Sequence, residues 1–264
     1  MITTINKDLK TRLKSFACVL AMGVFAIPLA GCSTTAEEQI TAGDIEIQDP
    51  FEEGNRVVFA FNDAVDDVVI HPIVTGYRAV VPQPGRTGLR NFLSNLKSPV
   101  YLANEVLQGD FEGAGTVMAR ATINTFAGAG GLVDIAGYEG FEKQPEDFGQ
   151  TLAVWGVGHG PYLVLPLLGP SSLRDYAGFF VDSYADPLKI MLDNSDDMEI
   201  QYIRTGLQVL AIRDELMDVL KDLEKSSIDY YAAIRSAYYQ RRDAEVKDED
   251  ASQMQVPDFS DAGE

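Results

Sequence analysis

The sequence predicts a mainly α-helical protein: one domain of short amphipathic helices joined by glycine and proline corners. Three observations carry this. Apolar residues recur with helical spacing, most clearly at Leu89, Phe92, Leu93 and Leu96, which follow i, i+3, i+4, i+7. Helix-starting and helix-stopping residues alternate along the chain. Strand-like alternation is weak throughout, and no internal repeat is visible.

The elements follow in order. "DPFE" opens the first helix, with Asp49 as N-cap, Pro50 at the first helical position and Glu52 two residues on. It is expected to run to about Asp67, with Val58, Phe61 and Val65 on one face and His71-Pro72 at its exit. After "VPQPG" a second helix carries the stripe from Leu89 to Leu96. Ser98 and Pro99 read as the cap and opening of a third, closed by Gly109. Asp110 caps the next, which continues through Met118 and Ile123 to "AGAGG". The best strand candidate is Tyr162 to Pro166, where flanking prolines limit pairing. Another helix is expected near Ser171. The most periodic stretch runs from Asp196 to about Lys225, with Ile203, Leu207, Leu210, Ile212, Leu216, Val219 and Leu223 as its stripe. "SSIDYYAAIRSAYYQRRD" is expected to form a final helix, and the acidic tail that follows, 243–264, has too little apolar content to fold.

Charge excludes one large class of function. The 264 residues carry 21 Lys and Arg against 40 Asp and Glu, a net charge of −19, whereas nucleic-acid binding needs clustered basic surface. The uncharged stretch Thr151 to Pro170 is about as long as a bilayer crossing requires. Its four glycines and three prolines argue against a straight spanning helix.

The N-terminus reads as a leader. Lys7, Lys10, Arg12 and Lys14 precede the apolar run Phe16 to Gly31, too short for a stable span and interrupted by Pro28. "LAGC" at Leu29 to Cys32 resembles a bacterial lipobox, so residues 1–31 are expected to be a lipoprotein signal peptide. Cys32 then becomes the lipidated N-terminus, carrying diacylglycerol and an N-acyl chain, with no other cofactor. Three acyl chains hold firmly, since one alone is marginal. Residues 32–48 read as a tether, and Ser33, not Asp, in second place resembles an outer-membrane sorting signal.

Chemistry-bearing patterns are sparse. Neither His71 nor His159 has a cysteine, a second histidine or a carboxylate at ligand spacing, so no metal site is expected. "GPSSL" lacks the closing glycine of a nucleophile elbow, and "GVGHGP" has Pro161 where a dinucleotide loop needs its third glycine. The pairs Asp66/Asp67 and Glu146/Asp147 read as solvated faces. No catalytic residue is assigned. Tyr101, Trp155 and Tyr162 are either interface anchors or core.

Four blocks then resemble one family. "DPFEEGNRVVFAFN" (Asp49 to Asn62), "NFLSNLKSPVYLANEVLQGD" (Asn91 to Asp110), "EDFGQTLAVWGVGHGPYLVLPLLGPSSLRD" (Glu146 to Asp175) and "YYAAIRSAYYQRR" (Tyr230 to Arg242) are similar to the MlaA/VacJ lipoproteins, over a domain spanning 49–242. The resemblance implies a ring of helices within the inner leaflet of the outer membrane, around a central amphipathic pore and beside a trimeric porin. It implies extraction of mislocalised phospholipid from the outer leaflet and delivery to the soluble periplasmic carrier MlaC, with no covalent chemistry, which maintains lipid asymmetry. Within that frame Asn62, Asn91, Asn95, Arg120, Asn124, Gln150 and Arg174 are the expected lipid-path residues. The segment from Gly130 to Glu146 resembles the family's hairpin loop beside the pore, with Gly130, Gly131, Asp134 and Gly137 as gating residues. A cross-link at Gly131 is expected to stop transfer. Arg56, Arg90, Arg120 and Arg174 either guide headgroups or pair internally with the many acids. Two alternatives remain: a structural, porin-binding lipoprotein without transport of its own, and a surface phospholipase, for which no nucleophile and base are found.

Overall fold

The computed structural model describes residues 40–42, 45–47, 49–194 and 198–248. The signal peptide, Cys32 and Ser33 lie outside the described residues, as does the acidic tail beyond 248. Two short strands, β1 (Ile40–Ala42) and β2 (Ile45–Ile47), pair antiparallel with Ile40 opposite Ile47. They occupy part of the stretch expected to be a plain tether, where isoleucine and threonine favour extended backbone.

Helix α1 (Glu52–Val65) passes through a π-helical turn (Asp66–Ile70) into α2 (His71–Val80). His71-Pro72 is therefore not an exit. The His71 N–H bonds to Asp66 O, five residues back, and this widened turn stands immediately before Pro72, whose nitrogen has no hydrogen to donate. Asp49 also departs from its expected capping role. Phe51 occupies the N-cap without a side-chain bond, while the Asp49 carboxylate accepts from Asn55 Nδ2 at 2.8 Å, Tyr231 Oη at 2.5 Å and Arg235 Nη1 at 2.6 Å.

Helix α3 (Gln83–Gln108) runs unbroken for 26 residues with Pro99 inside it. Ser98-Pro99 does not start a new helix, because α3 packs along α4 (Phe111–Phe126) over much of its length, and tertiary packing overrides one unfavourable residue. The corner between them is as expected. Gly109 adopts left-handed φ of 86°, and the Asp110 side chain accepts from the Glu112 and Gly113 amides. A short helix α5 (Ile135–Tyr138) and α6 (Phe148–Val154) follow.

The uncharged stretch is built from three kinds of backbone. It finishes α6, turns through Gly156 and Gly160 at positive φ, and then forms β3 (Tyr162–Leu165), which pairs antiparallel with β4 (Gly169–Ser172). "GPSS" is thus a strand, and α7 (Leu173–Ala185) starts after it, with Ser172 Oγ accepting from Asp175 N. Helices α8 (Pro187–Asn194), α9 (Met198–Ser226) and α10 (Tyr230–Val246) complete the described fold. Since α10 extends to Val246, the first residues of the expected tail are helical.

The edge of β3 is satisfied by side chains. On α1, Asn55 donates to Tyr162 O and accepts from Val164 N, while seven residues on Asn62 donates to Leu165 O and accepts from Leu167 N. Two amides thus serve in place of a third strand. Beneath them Tyr162, Val164, Tyr231, Tyr238 and Tyr239 form an aromatic core, against which Val58 and Phe59 pack. Of the face expected on α1, Phe61 is exposed.

Large apolar side chains stand out in the open elsewhere, including Phe126 at 86 %, Val80 at 82 % and Phe111 at 75 %. Among the described residues, no helix is long and apolar enough to cross a membrane.

Candidate functional site

Helices α1, α3, α7, α8, α9 and α10 wall a cavity of about 1290 Å³, joined by the π turn and the segments around 145–150 and 167–170. Only part of the stripe expected on α9 meets it: Ile212 and Leu216 line the cavity, whereas Ile203, Leu207, Leu210, Val219 and Leu223 do not. Val209, Ile212, Leu216, Met217 and Leu220 line the cavity, so residues such as Ile212 are exposed by residue accessibility yet face inward. Carboxylates, amides and cations line the same cavity, several of them from α9 itself (Gln201, Arg204, Gln208 and Arg213), which makes it amphipathic.

The polar lining is organised as ion pairs. Arg242 of α10 grips Asp147 through both terminal nitrogens, at 2.7 and 3.0 Å, donates from Nε to Asp175 at 3.0 Å and reaches Glu245 at 2.7 Å. Burial would raise the Asp175 carboxyl, but Arg242 and Arg174 hold it down at about 2. Burial opposes charge on Arg242 as well, and its carboxylate partners more than offset this. Glu146 contrasts with both. Burial pushes its carboxyl up to about 8, against one hydrogen bond from Gln108 at 2.6 Å, and neighbouring Glu105 adds to the rise.

Near the π turn the ligand atoms of Asp66, Asp67 and His71 lie within 4.8 Å of one another. Contrary to the expectation from sequence, His71 therefore does have carboxylates at ligand spacing: Asp67 precedes it by four residues, one helical turn, and the π turn brings Asp66 round as well. Arg213 already binds Asp66 through two nitrogens, at 2.7 and 2.6 Å. That cation supplies much of the counter-charge a metal would bring.

The expected lipid-path residues divide into three groups. Asn62 and Gln150 line the large cavity, though both are hydrogen-bonded to backbone, Asn62 at the β3–β4 turn and Gln150 Nε2 at Pro145 O. Asn91, Asn95, Arg120 and Asn124 surround a second, much smaller polar pocket of about 70 Å³, together with Asp134 and Lys143. Arg174 lies on the wall of neither. Its Nε bonds Asp175 at 2.8 Å.

The four arginines considered for headgroups are all paired. Arg56 binds Glu52 and Asp229, Arg90 binds Asp214, Arg120 binds Asp134 and Arg174 binds Asp175.

That small pocket is where the glycine-rich loop is fastened. Arg120 Nη2 contacts both Asp134 oxygens at 2.8 Å, and its Nη1 bonds Phe141 O. Asn124 donates to Asp134 and accepts from Ala136 N. Asn95 donates to Thr125 and to Gly130 O. Gly130, Gly131, Asp134 and Gly137 therefore sit on the small pocket's side, and only the loop's far limb, Pro145 to Asp147, reaches the large cavity. A Cβ on Gly131, whose φ is +97°, would lie 2.6 Å from Asn95 Cβ. A cysteine there would displace the loop, and the exposed Leu132 is the better attachment point.

A family profile described as MlaA lipoprotein matches residues 47–245. The chain belongs to the MlaA lipoprotein family. Among its relatives is the intermembrane phospholipid transport system lipoprotein MlaA of Escherichia coli (strain K12), 35 % identical over 219 residues, covering 81 % of this chain and 83 % of the relative. Its counterpart in Haemophilus influenzae is 29 % identical over 234 residues, covering 87 % and 90 %. A structure solved to explain maintenance of bacterial outer membrane lipid asymmetry superposes with a TM-score of 0.65 at 34 % identity, covering 75 % of this chain and 99 % of that one.

Within this MlaA fold, sequence reasoning missed several residues that shape the cavity. Lys97 is one. It follows the buried Leu93 by four positions and precedes Tyr101 by four, so the signal was a lysine on the inward face of α3. Asp214 is another. It is 1 % exposed and gathers Arg78, Arg86 and Arg90 from α2 and α3, a role invisible without knowing that α9 packs against both.

Proposed function

We propose that this chain is the lipoprotein component of an intermembrane phospholipid transport system. In this reading it removes mislocalised phospholipid from the outer leaflet of the outer membrane and passes it to a soluble periplasmic carrier of the MlaC kind, without covalent chemistry. The observation that carries it is the cavity. About 1290 Å³ exceeds the roughly 300–1,000 Å³ typical of small-molecule pockets. Its lining offers apolar side chains to acyl chains and charged and amide groups to a headgroup.

The outward surface supports the same reading. Large apolar side chains such as Phe111, Phe126 and Val80 stand 75–86 % exposed. They suit a protein lying in a leaflet, with part of that surface against a trimeric porin. Anchorage through Cys32 would hold it on the periplasmic side of the outer membrane. The loop fastened by Arg120 and Asp134 would act as the gate.

Expression of this chain in a Gram-negative strain lacking its own MlaA tests the reading. Outer-leaflet phospholipid, measured by surface labelling, should fall to the wild-type level. Phospholipid remaining at the level of the deletion strain, with the protein correctly lipidated and bound to porin, would refute transport and leave a porin-binding scaffold.

A further inference from the structure

Lys97 is a half-buried lysine and one of four on the cavity wall, with Lys189, Lys221 and Lys225, that form no ion pair within 4.0 Å among the described residues. It lies on α3 in the cavity wall beside Val100 and Tyr101, and among the described residues it makes no hydrogen bond and no ion pair within 4.0 Å. Arg204 of α9 lines the same cavity and faces it electrostatically. Three aspartates also face Lys97, and each is committed elsewhere. Asp182 accepts from Phe148 N at 2.8 Å and Asn104 Nδ2 at 3.1 Å. Asp147 is held by Arg242 and by Gln150 N. Asp186 is held by Arg204 at 2.7 Å and by Leu188 N at 3.0 Å.

Arg204 is already held by Asp186, and its Nε is closed off from the cavity space. Desolvation pushes the Lys97 ammonium below its usual range, and Arg204 adds to this. Two cations in one partly dry wall, one of them unpaired, raise each other's cost unless an anion joins them.

We propose that Lys97 and Arg204 form an anion subsite that takes the phosphate of a phospholipid headgroup inside the cavity. The ammonium offers three donors that match phosphate oxygens, and the guanidinium adds a second positive charge. Val100 and the apolar residues that α9 places on the cavity then receive the acyl portion. The inference rests on the transport reading for the identity of the ligand. A free phosphate ion shares the same chemistry, and the two sources are separated below.

The test compares full-length lipidated protein in detergent, loaded with phosphatidylglycerol or with diacylglycerol of the same acyl chains and weighed by native mass spectrometry. Wild type should retain the phosphate-bearing lipid about tenfold or more over diacylglycerol, as charge-assisted hydrogen bonds predict. Lys97→Met should bring that ratio close to one, and Lys97→Arg should restore it. An unchanged ratio in Lys97→Met with its circular dichroism intact overturns the subsite, as does a lost ratio in a folded Lys97→Arg. Titration with inorganic phosphate separates the sources: Lys97-dependent phosphate binding without any lipid preference overturns the headgroup assignment. Transfer to the soluble carrier is measured independently. A Lys97-dependent lipid preference without transfer would leave the subsite standing and sink the transport reading.

Discussion

Replacing Asp214 by asparagine should destabilise the protein severely, although Asp214 itself does not line the cavity. The carboxylate accepts from Arg78 Nε at 2.7 Å, from Arg90 Nη1 at 2.9 Å and from Arg86 Nη1, and so ties α2 and α3 to α9. Removing one partner from a buried charge network costs about 3–5 kcal/mol, and the partial exposure of the three arginines places this case near about 3 kcal/mol. For a domain of this size that is a fall in Tm of about 6–12 °C. Asp218 supplies the internal control. It also pairs with Arg78, but its side chain is 75 % exposed, so Asp218→Asn should cost at most about 1 kcal/mol. Burial would raise the Asp214 carboxyl, and hydrogen bonds from Arg78 and Arg86 more than offset that, leaving it below its ordinary 3.8. The stabilisation is therefore present above that value and lost as pH falls through the lower folded one, a dependence that Asp214→Asn should remove. Thermal unfolding followed by circular dichroism in detergent reads both effects. Equal losses for Asp214→Asn and Asp218→Asn would refute the reasoning.

Other consequences follow from the same contacts. A Cβ at Gly178 would come 2.2 Å from Gly149 N, so Gly178→Ala should force α6 and α7 apart at about 3 kcal/mol, measured as a drop in denaturation midpoint against Gly54→Ala, which meets nothing within 4 Å. Glu146 is raised to about 8 from 4.5, so its contribution is fully favourable below 4.5 and is lost as pH rises through about 8. Glu146→Gln should flatten that decline in urea midpoints taken across the interval, and an unaltered slope would contradict the assignment. Arg120→Ala removes both bonds to Asp134 and one to Phe141, and amide exchange across 128–142 should quicken as the loop loosens by about 1–3 kcal/mol. Unchanged exchange there would show that the loop is held by something else.

Local grammar was legible wherever one residue decides the backbone. Gly109 and Asp110 end one helix and start the next because a left-handed residue followed by a capping carboxylate has few other solutions. Tyr162 to Leu165 was visible as a strand. Pro72 and Pro99 misled, since a widened π turn at one and extended helix packing at the other absorb a missing hydrogen bond. The cavity was legible only in small part: of the stripe expected on α9, Ile212 and Leu216 line it, while Val209, Met217 and Leu220 were not in that stripe. Its polar lining was hidden, because Lys97, Asp147, Asp182, Asp186 and Arg204 come from separate segments that only the fold assembles. Asn55 shows the same limit, as an amide whose partners lie 107 and 109 residues away.

Transfer of labelled phospholipid from proteoliposomes containing the lipoprotein to its soluble periplasmic carrier tests the central claim most directly, with protein-free liposomes as control. A lipid conduit predicts transfer well above the control, with the lipid chemically intact. Transfer no faster than from protein-free liposomes, with the protein folded and bound to the carrier, would contradict it.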